Sequence, residues 1–193
     1  MEGISSRDAE FVCRRCGKVV SFEIYKLSQY CPNPNCGTLL QLRPRPKHWL
    51  FQFNPATYRW LDRVGETKEP EQWLTSQHFK HIHEGDLVAI WASGEKGGIY
   101  AIGHIMTKPA KKPLNAEQEK YFIEKDYIGK FQEKPSVNVG YSKVALDKPL
   151  LQDECNRDAT LSGMQIFKNP HGTNFRLTTD EWTRILELME QTK

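Results

Sequence analysis

The sequence lacks the features of a membrane-spanning or secreted protein. No stretch approaches the run of about 20 apolar residues that crosses a bilayer. Residues 1–7 are polar and do not contain the apolar core of a secretory signal. We therefore expect a cytoplasmic protein that has no membrane partner.

The sequence also lacks the familiar catalytic signatures. It contains no His-Glu-x-x-His motif, no Gly-x-Ser-x-Gly nucleophile elbow, and no acid cluster with an adjacent lysine like that of a nuclease core. His78, His81 and His83 lie close together, but no nearby acid or cysteine completes a hydrolase metal site, and we interpret them as surface residues at a helix end. These absences favour a protein that is not an enzyme.

Charge is distributed unevenly along a chain whose composition is otherwise that of a globular protein. Of the 193 residues, 38% are apolar, 11% are aromatic and 26% are charged, which excludes collagen-like and globally disordered chains. Residues 1–48 carry 8 basic and 4 acidic side chains (net +4), whereas residues 49–193 carry 19 and 20 (net −1). A basic N-terminal quarter is either solvated surface or a contact for an anion, most commonly a phosphate backbone. The candidate phosphate-contacting residues are Arg14, Arg15, Lys18, Arg43, Arg45 and Lys47.

Four of the five cysteines lie in the same basic segment, as two closely spaced pairs: Cys13, Cys16, Cys31 and Cys36. In a reducing compartment such pairs favour a metal site over disulfides, and four thiolates complete a tetrahedral, structural site. A glycine follows each pair, and residues 19–25 have the pattern of a strand, so we predict a zinc ribbon over residues 1–43. Iron is the main alternative metal, but the spacing of the second pair differs from that of rubredoxin-like sites and favours zinc. Cys155 is interpreted as a spare thiol.

A proline-rich linker over residues 44–47 separates the ribbon from a second domain at residues 48–193. In that domain we predict strands at 48–53, 87–93, 99–106, 137–146 and 172–177. Helices are predicted over 56–64 and 71–80, from Asn115, and after Thr178, where Glu181 completes a capping box. Strands dominate without a β-α-β repeat, which indicates a mainly β fold with peripheral helices, in the form of a small barrel.

Four motifs of the second domain, taken together, resemble the EVE domain family. They are the strand at 49–55 (WLFQFNP), the turn at 84–88 (EGDLV), the strand end at 91–93 (WAS) and the return strand at 98–103 (GIYAIG). The resemblance covers residues 47–193 and implies a PUA-like β-barrel related to the YTH readers of methylated RNA. It also implies a pocket that receives a single and often modified nucleobase. This pocket would lie between the first strand and the hairpin formed by the predicted strands at 87–93 and 99–106.

Candidate pocket residues follow from this resemblance and from the chemistry of base binding. A flipped base must be stacked on flat side chains and hydrogen-bonded along its polar edge. Aromatic or apolar faces could come from Trp49 and Trp91, and edge contacts from Asn54, Ser93 and the backbone at Gly98. The competing interpretations are that the tryptophans are core residues and that Asn54 only caps a helix. The family often has a histidine where this chain has Ala92, which leaves the identity of the base open.

Three functions are compatible with these observations. The favoured one is a non-catalytic reader of DNA or RNA carrying a modified base, in which the basic ribbon adds phosphate contacts. The second is an enzyme, or an enzyme subunit, acting on nucleotides or RNA, with the pocket positioning its substrate. The third is a protein-docking function, in which the ribbon binds a protein effector.

Overall fold

In a computed structural model, the described residues of the protein are 9–13, 15–21, 24–25, 28–67 and 69–191, and the side chains of residues 9 and 42–44 lie outside the description. The chain divides into two compact units, Met1–Pro46 and Lys47–Lys193. Among the described residues, no helix is both long and apolar enough to cross a membrane.

The first unit contains a three-stranded antiparallel sheet with the order β2-β1-β3. Its strands are β1 (Ala9–Cys13), β2 (Val19–Val20) and β3 (Leu40–Pro44). The small core includes Phe11, which stacks on Tyr25 with ring centroids 3.7 Å apart. The predicted strand over 19–25 is wrong beyond Val20, because Ile24 and Tyr25 are helical; residues 22–23 lie outside the described part. Strand β3 also extends into the predicted linker, where Pro44 pairs with Ala9.

The second unit is built on a mixed sheet that curls into a half-barrel. In spatial order its strands are β10 (Asn174–Leu177), β4 (His48–Phe53), β6 (Leu87–Ala92), β7 (Gly98–Ile105), β8 (Ser136–Val144) and β5 (Glu71–Leu74), and β9 (Leu150–Leu151) pairs with β7. The β4–β6 pair is parallel and the other pairs are antiparallel. The predicted fold class, mainly β with peripheral helices, is confirmed.

Short helices surround the half-barrel: α1 (Trp60–Glu66), α2 (Ala116–Glu119), α3 (Asp126–Glu133), α4 (Gln152–Arg157), α5 (Gln165–Lys168) and α6 (Thr179–Gln191). The predicted capping box before α6 is confirmed. Glu181 N donates to Thr178 Oγ1 at 3.1 Å, and Thr178 N donates to Glu181 Oε2 at 2.7 Å. Helix α6 therefore begins where its local sequence dictates.

Both faces of the sheet are buried, and each belongs to a separate hydrophobic cluster. Along β4, Trp49, Phe51 and Phe53 contribute to the inner cluster, whereas Leu50 contributes to the outer one. The outer cluster also contains Trp91 from β6 and the apolar faces of α4, α5 and α6. Successive side chains of a strand point to opposite faces of the sheet, so the residues of β4 enter the two clusters in turn and both clusters are shielded from solvent.

The predicted helix over 71–80 is wrong, since this segment forms β5 and then a turn. Tertiary partners on both edges stabilise the extended conformation. On one side Trp73 pairs with Val137 of β8. On the other, Gln118 substitutes for a strand: its Oε1 accepts from Gln72 N at 2.8 Å and its Nε2 donates to Gln72 O at 2.9 Å. The two end strands of the sheet, β10 and β5, are linked near this point: Asn174 Nδ2 of β10 donates to Leu74 O of β5 at 3.0 Å.

Candidate functional site

A cavity of about 320 Å³ opens at the C-terminal end of β4. Strand β5, helix α3 and the loop before β10 complete its walls. We call it the main pocket; it is lined by Gln52, Phe53, Asn54, Thr57, Tyr58, Gln72, Trp73, Phe122, Glu124, Tyr127, Lys130, Phe131, His171, Gly172 and Thr173.

Aromatic rings form much of the wall of the main pocket. Trp73 lies 6.2 Å from Phe53, centroid to centroid, in an edge-to-face arrangement, and only 6% of Trp73 is exposed. Nearby, Tyr58 and Phe122 stack with centroids 4.3 Å apart. Rings held against one another in this way present a rigid apolar surface, which suits a planar ligand.

The orientation of Trp73 is fixed by the phenol of a half-buried tyrosine, Tyr141. Trp73 Nε1 and Trp60 Nε1 each donate to Tyr141 OH at 2.9 Å, and Tyr141 donates to Glu71 Oε2. A phenol has one proton to donate and two lone pairs to accept, so Tyr141 is fully used. The indole of Trp73 is therefore held by a hydrogen bond at Nε1 and by contacts with the rings of Phe51 and Phe53.

This phenol belongs to a buried charged network. Glu71 and Arg63 are only 1% and 2% exposed, and Arg63 Nε lies 2.7 Å from Glu71 Oε1, which also accepts from Tyr58 OH at 2.7 Å. Burial raises the pKa of Glu71, while hydrogen bonds from both tyrosines and the charge of Arg63 oppose that rise. Burial and the neighbouring Glu71 raise the pKa of Tyr141 well above its ordinary value, so the phenol stays neutral. The network stabilises the back of the pocket without presenting net charge to it.

Two amide side chains provide polar groups on the pocket wall. The Oδ1 atom of Asn54 accepts from Ala56 N at 2.9 Å, which leaves its Nδ2 to donate. The Nε2 atom of Gln72 donates to Ser136 Oγ at 2.9 Å and to Lys112 O at 3.2 Å, and among the described residues its Oε1 remains as a free acceptor. The pocket wall thus combines aromatic rings and these two amides with the charged or ionisable side chains of Glu124, Lys130 and His171.

Of the five residues predicted to contact a base, only Asn54 lines the main pocket. Trp91 is 2% exposed and packs edge-to-face on Phe167 in the outer cluster, 5.7 Å between centroids. Trp49 is 1% exposed and donates from Nε1 to Asp86 Oδ2 at 2.8 Å. Because the sheet is buried on both faces, Trp91 belongs to a second core and does not line the main pocket.

Ser93 and Gly98 are also placed by packing of the sheet. Ser93 N donates to Phe53 O at 2.9 Å and so extends the pairing of β4 with β6. At Gly98 a β-carbon would come within 2.5 Å of Leu150 O, so glycine is required for the approach of β9. Trp73 is one of the pocket residues that the sequence reasoning missed, and its place in the pocket depends on the strand pairing of β5.

In the first unit, the four paired cysteines form a cluster that could hold a metal ion. All four sulfur atoms lie within 4.8 Å of one another, and the Sγ–Sγ distances are 3.4 Å for Cys13–Cys36 and 3.5 Å for Cys16–Cys31. All are free thiols. The turns after each pair are the expected ones, since Gly17 and Gly37 have φ of 70° and 56°. Hydrogen bonding with Thr38 lowers the pKa of Cys36 to about 6, whereas at Cys31 a backbone hydrogen bond at Asn33 is outweighed by burial and the neighbouring thiols, which raise the pKa of Cys31 to about 11.

The predicted phosphate-contacting residues are only partly described. Arg15, Lys18 and Arg45 are exposed, and Arg15 Nη1 donates to Cys36 O at 3.3 Å. Lys47 belongs to the second unit and donates from Nζ to His81 O at 3.3 Å. Arg14 and the side chain of Arg43 lie outside the described residues. Their contact with phosphate stays a prediction.

The second unit has the fold of several solved proteins. The protein Rpa0253 of Rhodopseudomonas palustris is 17% identical, with a TM-score of 0.57 over 76% of this chain and 95% of that one. A Leishmania major protein is 17% identical, with a TM-score of 0.56 over 77% and 98%. Human THYN1, solved in complex with DNA containing 5-methylcytosine, is 17% identical, with a TM-score of 0.54 over 75% and 98%.

Sequence comparison identifies the family to which the chain belongs. Residues 47–188 match the EVE domain, and the chain therefore belongs to the EVE domain family. The family resemblance predicted from the four motifs is confirmed. No curated protein sequence matches the chain significantly.

Proposed function

We propose that this EVE domain is a non-catalytic nucleic-acid-binding module that receives one flipped-out, modified nucleobase in the main pocket. The observation that carries the proposal is the combination, in one cavity of about 320 Å³, of the immobilised Trp73 ring with two amide groups available for hydrogen bonding. Its volume lies near the lower end of the range of about 300–1,000 Å³ typical of small-molecule sites.

The chemistry of a nucleobase matches these walls. Its planar face would stack on the rings beside Trp73, as bases do in other proteins that extrude them from a helix. Its polar edge carries both carbonyl and amino groups, which Asn54 Nδ2 and Gln72 Oε1 complement. A methyl group on the base would meet the apolar part of the wall. The complex of human THYN1 with DNA containing 5-methylcytosine supports a modified base as the ligand.

We further propose that the four-cysteine cluster binds zinc. The four soft thiolate donors and the closed arrangement fit a structural, tetrahedral zinc site, in which the ion would supply folding free energy and no chemistry. The exposed Arg15, Lys18 and Arg45 would then be carried by a folded basic module and could contact phosphate groups. A protein effector of this module is the competing partner.

Titration with matched oligonucleotides tests the function. DNA and RNA strands with and without a modified base, such as 5-methylcytosine, should bind with measurably different affinities and be recovered unaltered. Recovery of chemically changed strands would favour an enzyme, and identical affinities for all strands would contradict base recognition.

A pair of asparagine variants separates base recognition from local stability. Asn54 and Asn115 each accept a hydrogen bond from the backbone N–H two residues on, at 2.9 and 2.8 Å, but only Asn54 lines the main pocket. Each alanine variant should therefore lose about 0.5–1.5 kcal/mol of stability, the net contribution of one such hydrogen bond. Only Asn54→Ala should also lose discrimination between modified and unmodified strands. If the two variants discriminate equally well between modified and unmodified strands, Asn54 does not contact the base.

A further inference from the structure

A second cleft, of about 360 Å³, lies on the other side of the loop that closes the main pocket. We call it the side cleft. Its polar side chains all carry hydrogen-bond donors and none is a carboxylate; the lining consists of Gln77, His78, Gln165, Lys168, Asn169, Asn174 and Phe175.

The side cleft and the main pocket share a wall. Asn174 lines the side cleft and accepts, at 3.2 Å, from the hydroxyl of Thr173, which lines the main pocket. Gln77 lies directly against Gly172, where an added β-carbon would come within 3.1 Å of Gln77 Oε1. Because Asn174 is buried and also holds Leu74 O at 3.0 Å, the two cavities are fixed relative to each other.

The backbone conformation of His78, which lines the side cleft, also points to a ligand site there. Among the described residues, His78 alone of the non-glycine residues has a positive φ, at 59°. A residue with a β-carbon is strained there, and such strain concentrates at ligand sites. The strained backbone turns at the edge of the side cleft, where the ring of His78 lies 5.8 Å from that of Trp49.

We infer that the side cleft binds a phosphodiester group of the nucleotide next to the flipped base, with Lys168 as the charged contact. This inference rests on the proposed function of the main pocket. A base that enters the main pocket remains joined to its strand by phosphates on both sides, so the strand continues past the shared wall. Phosphodiester oxygens are anionic and only accept hydrogen bonds. The exposed donors of the side cleft complement them: Gln77, His78, Gln165, Lys168 and Asn169.

The test is Lys168→Gln, compared with Lys148→Gln as a charge-matched control. Both lysines are exposed, but Lys148 lines neither the main pocket nor the side cleft. Fluorescence anisotropy with the modified and the unmodified oligonucleotide should show that Lys168→Gln weakens binding to both by the same factor, about five- to tenfold. The slope of log K against log salt should fall by about 0.7–0.9, the contribution of one phosphate. His78→Gly, checked for folding by circular dichroism, should also weaken both equally.

Two results overturn the inference. One is a Lys168→Gln protein whose affinity and salt dependence equal those of the parent or of Lys148→Gln. The other is a loss confined to the modified strand, which would place Lys168 at the base and not at the backbone. Failure of the proposed function has a different signature, because Trp73→Ala would then bind as tightly as the parent, whatever Lys168→Gln does.

Discussion

Trp73 Nε1 donates to Tyr141 OH at 2.9 Å, and this bond connects the wall of the main pocket to the buried carboxyl of Glu71. The same hydroxyl accepts from Trp60 Nε1 at 2.9 Å. One of the two indoles lines the pocket and the other does not. The structure therefore contains its own control for the effect of the bond on binding.

Tyr141→Phe should lower both stability and affinity. It leaves two buried indole N–H groups and one carboxylate oxygen without their partner, at a cost of about 1–3 kcal/mol for each group, and it frees the ring of Trp73 to rotate. Trp60→Phe removes one bond to the same hydroxyl, so it should reduce the melting temperature while leaving the affinity of the folded protein unchanged. Melting curves and oligonucleotide titrations measure the two effects. Equal affinities for Tyr141→Phe and the parent would make the bond purely structural.

Replacing Trp73 and Trp91 should have different effects on binding. Both side chains are buried, so Trp73→Ala and Trp91→Ala should each destabilise the fold by about 3–5 kcal/mol, as for other large core residues. Only Trp73→Ala should also cost about 1–3 kcal/mol of binding, the range for stacking of a base on an aromatic ring, and Trp73→Phe should recover part of it. Binding by the folded fraction of Trp91→Ala should match the parent. Denaturant unfolding and titration at a temperature where each variant is folded distinguish the cases. If a folded Trp91→Ala protein has lost base binding, the base-binding site includes β6 and not the main pocket alone.

The four-cysteine cluster should contain one zinc ion per chain. Elemental analysis checks this, and iron or an absence of metal would contradict it. Cys16→Ser should release the metal and unfold the first unit, because so small a unit cannot be stabilised by its core alone. The thermal transition of the second unit should persist, since its cores are its own. Cys155→Ser is the matched control: this buried cysteine lies outside the cluster, so its loss should leave the metal content unchanged.

Phosphate contacts of the first unit should be visible in the salt dependence of binding. The combined variant Arg15→Gln, Lys18→Gln and Arg45→Gln removes three exposed charges. If each neutralises one phosphate, the slope of log K against log salt should fall by about 2–3, and discrimination between modified and unmodified strands should survive. An unchanged slope would assign the basic surface to a protein partner or to solvation alone.

The parts of the fold that the sequence predicted are those determined locally. The capping box at Thr178 and Glu181, the hairpin of β6 and β7, and the four-cysteine cluster each depend on residues close together in sequence or on a strict spacing. Their stabilising contacts could therefore be inferred before the tertiary structure was known.

The main pocket could not be predicted in the same way. Four residues from Glu71 form a strand because Val137 and Gln118 pair with their edges, and both partners are distant in sequence. Trp73 enters the pocket only through that pairing. The exclusion of Trp49 and Trp91 from the pocket likewise depends on where the doubly buried sheet encloses a cavity, and alternation along a strand carries no information about that.

The order of strands has a consequence for synthesis of the protein. Gln52 Nε2 donates to Gly172 O at 3.2 Å across a separation of 120 residues, and β10 pairs with β4, the first strand of the unit. A ribosome releases β4 and β6 long before β10, so one edge of the apolar strand β4 stays unpaired until β10 emerges. The wall at His171, Gly172 and Thr173 is then the last part of the main pocket to be made. A chain that stops before this segment lacks that wall, so it should not bind the proposed base.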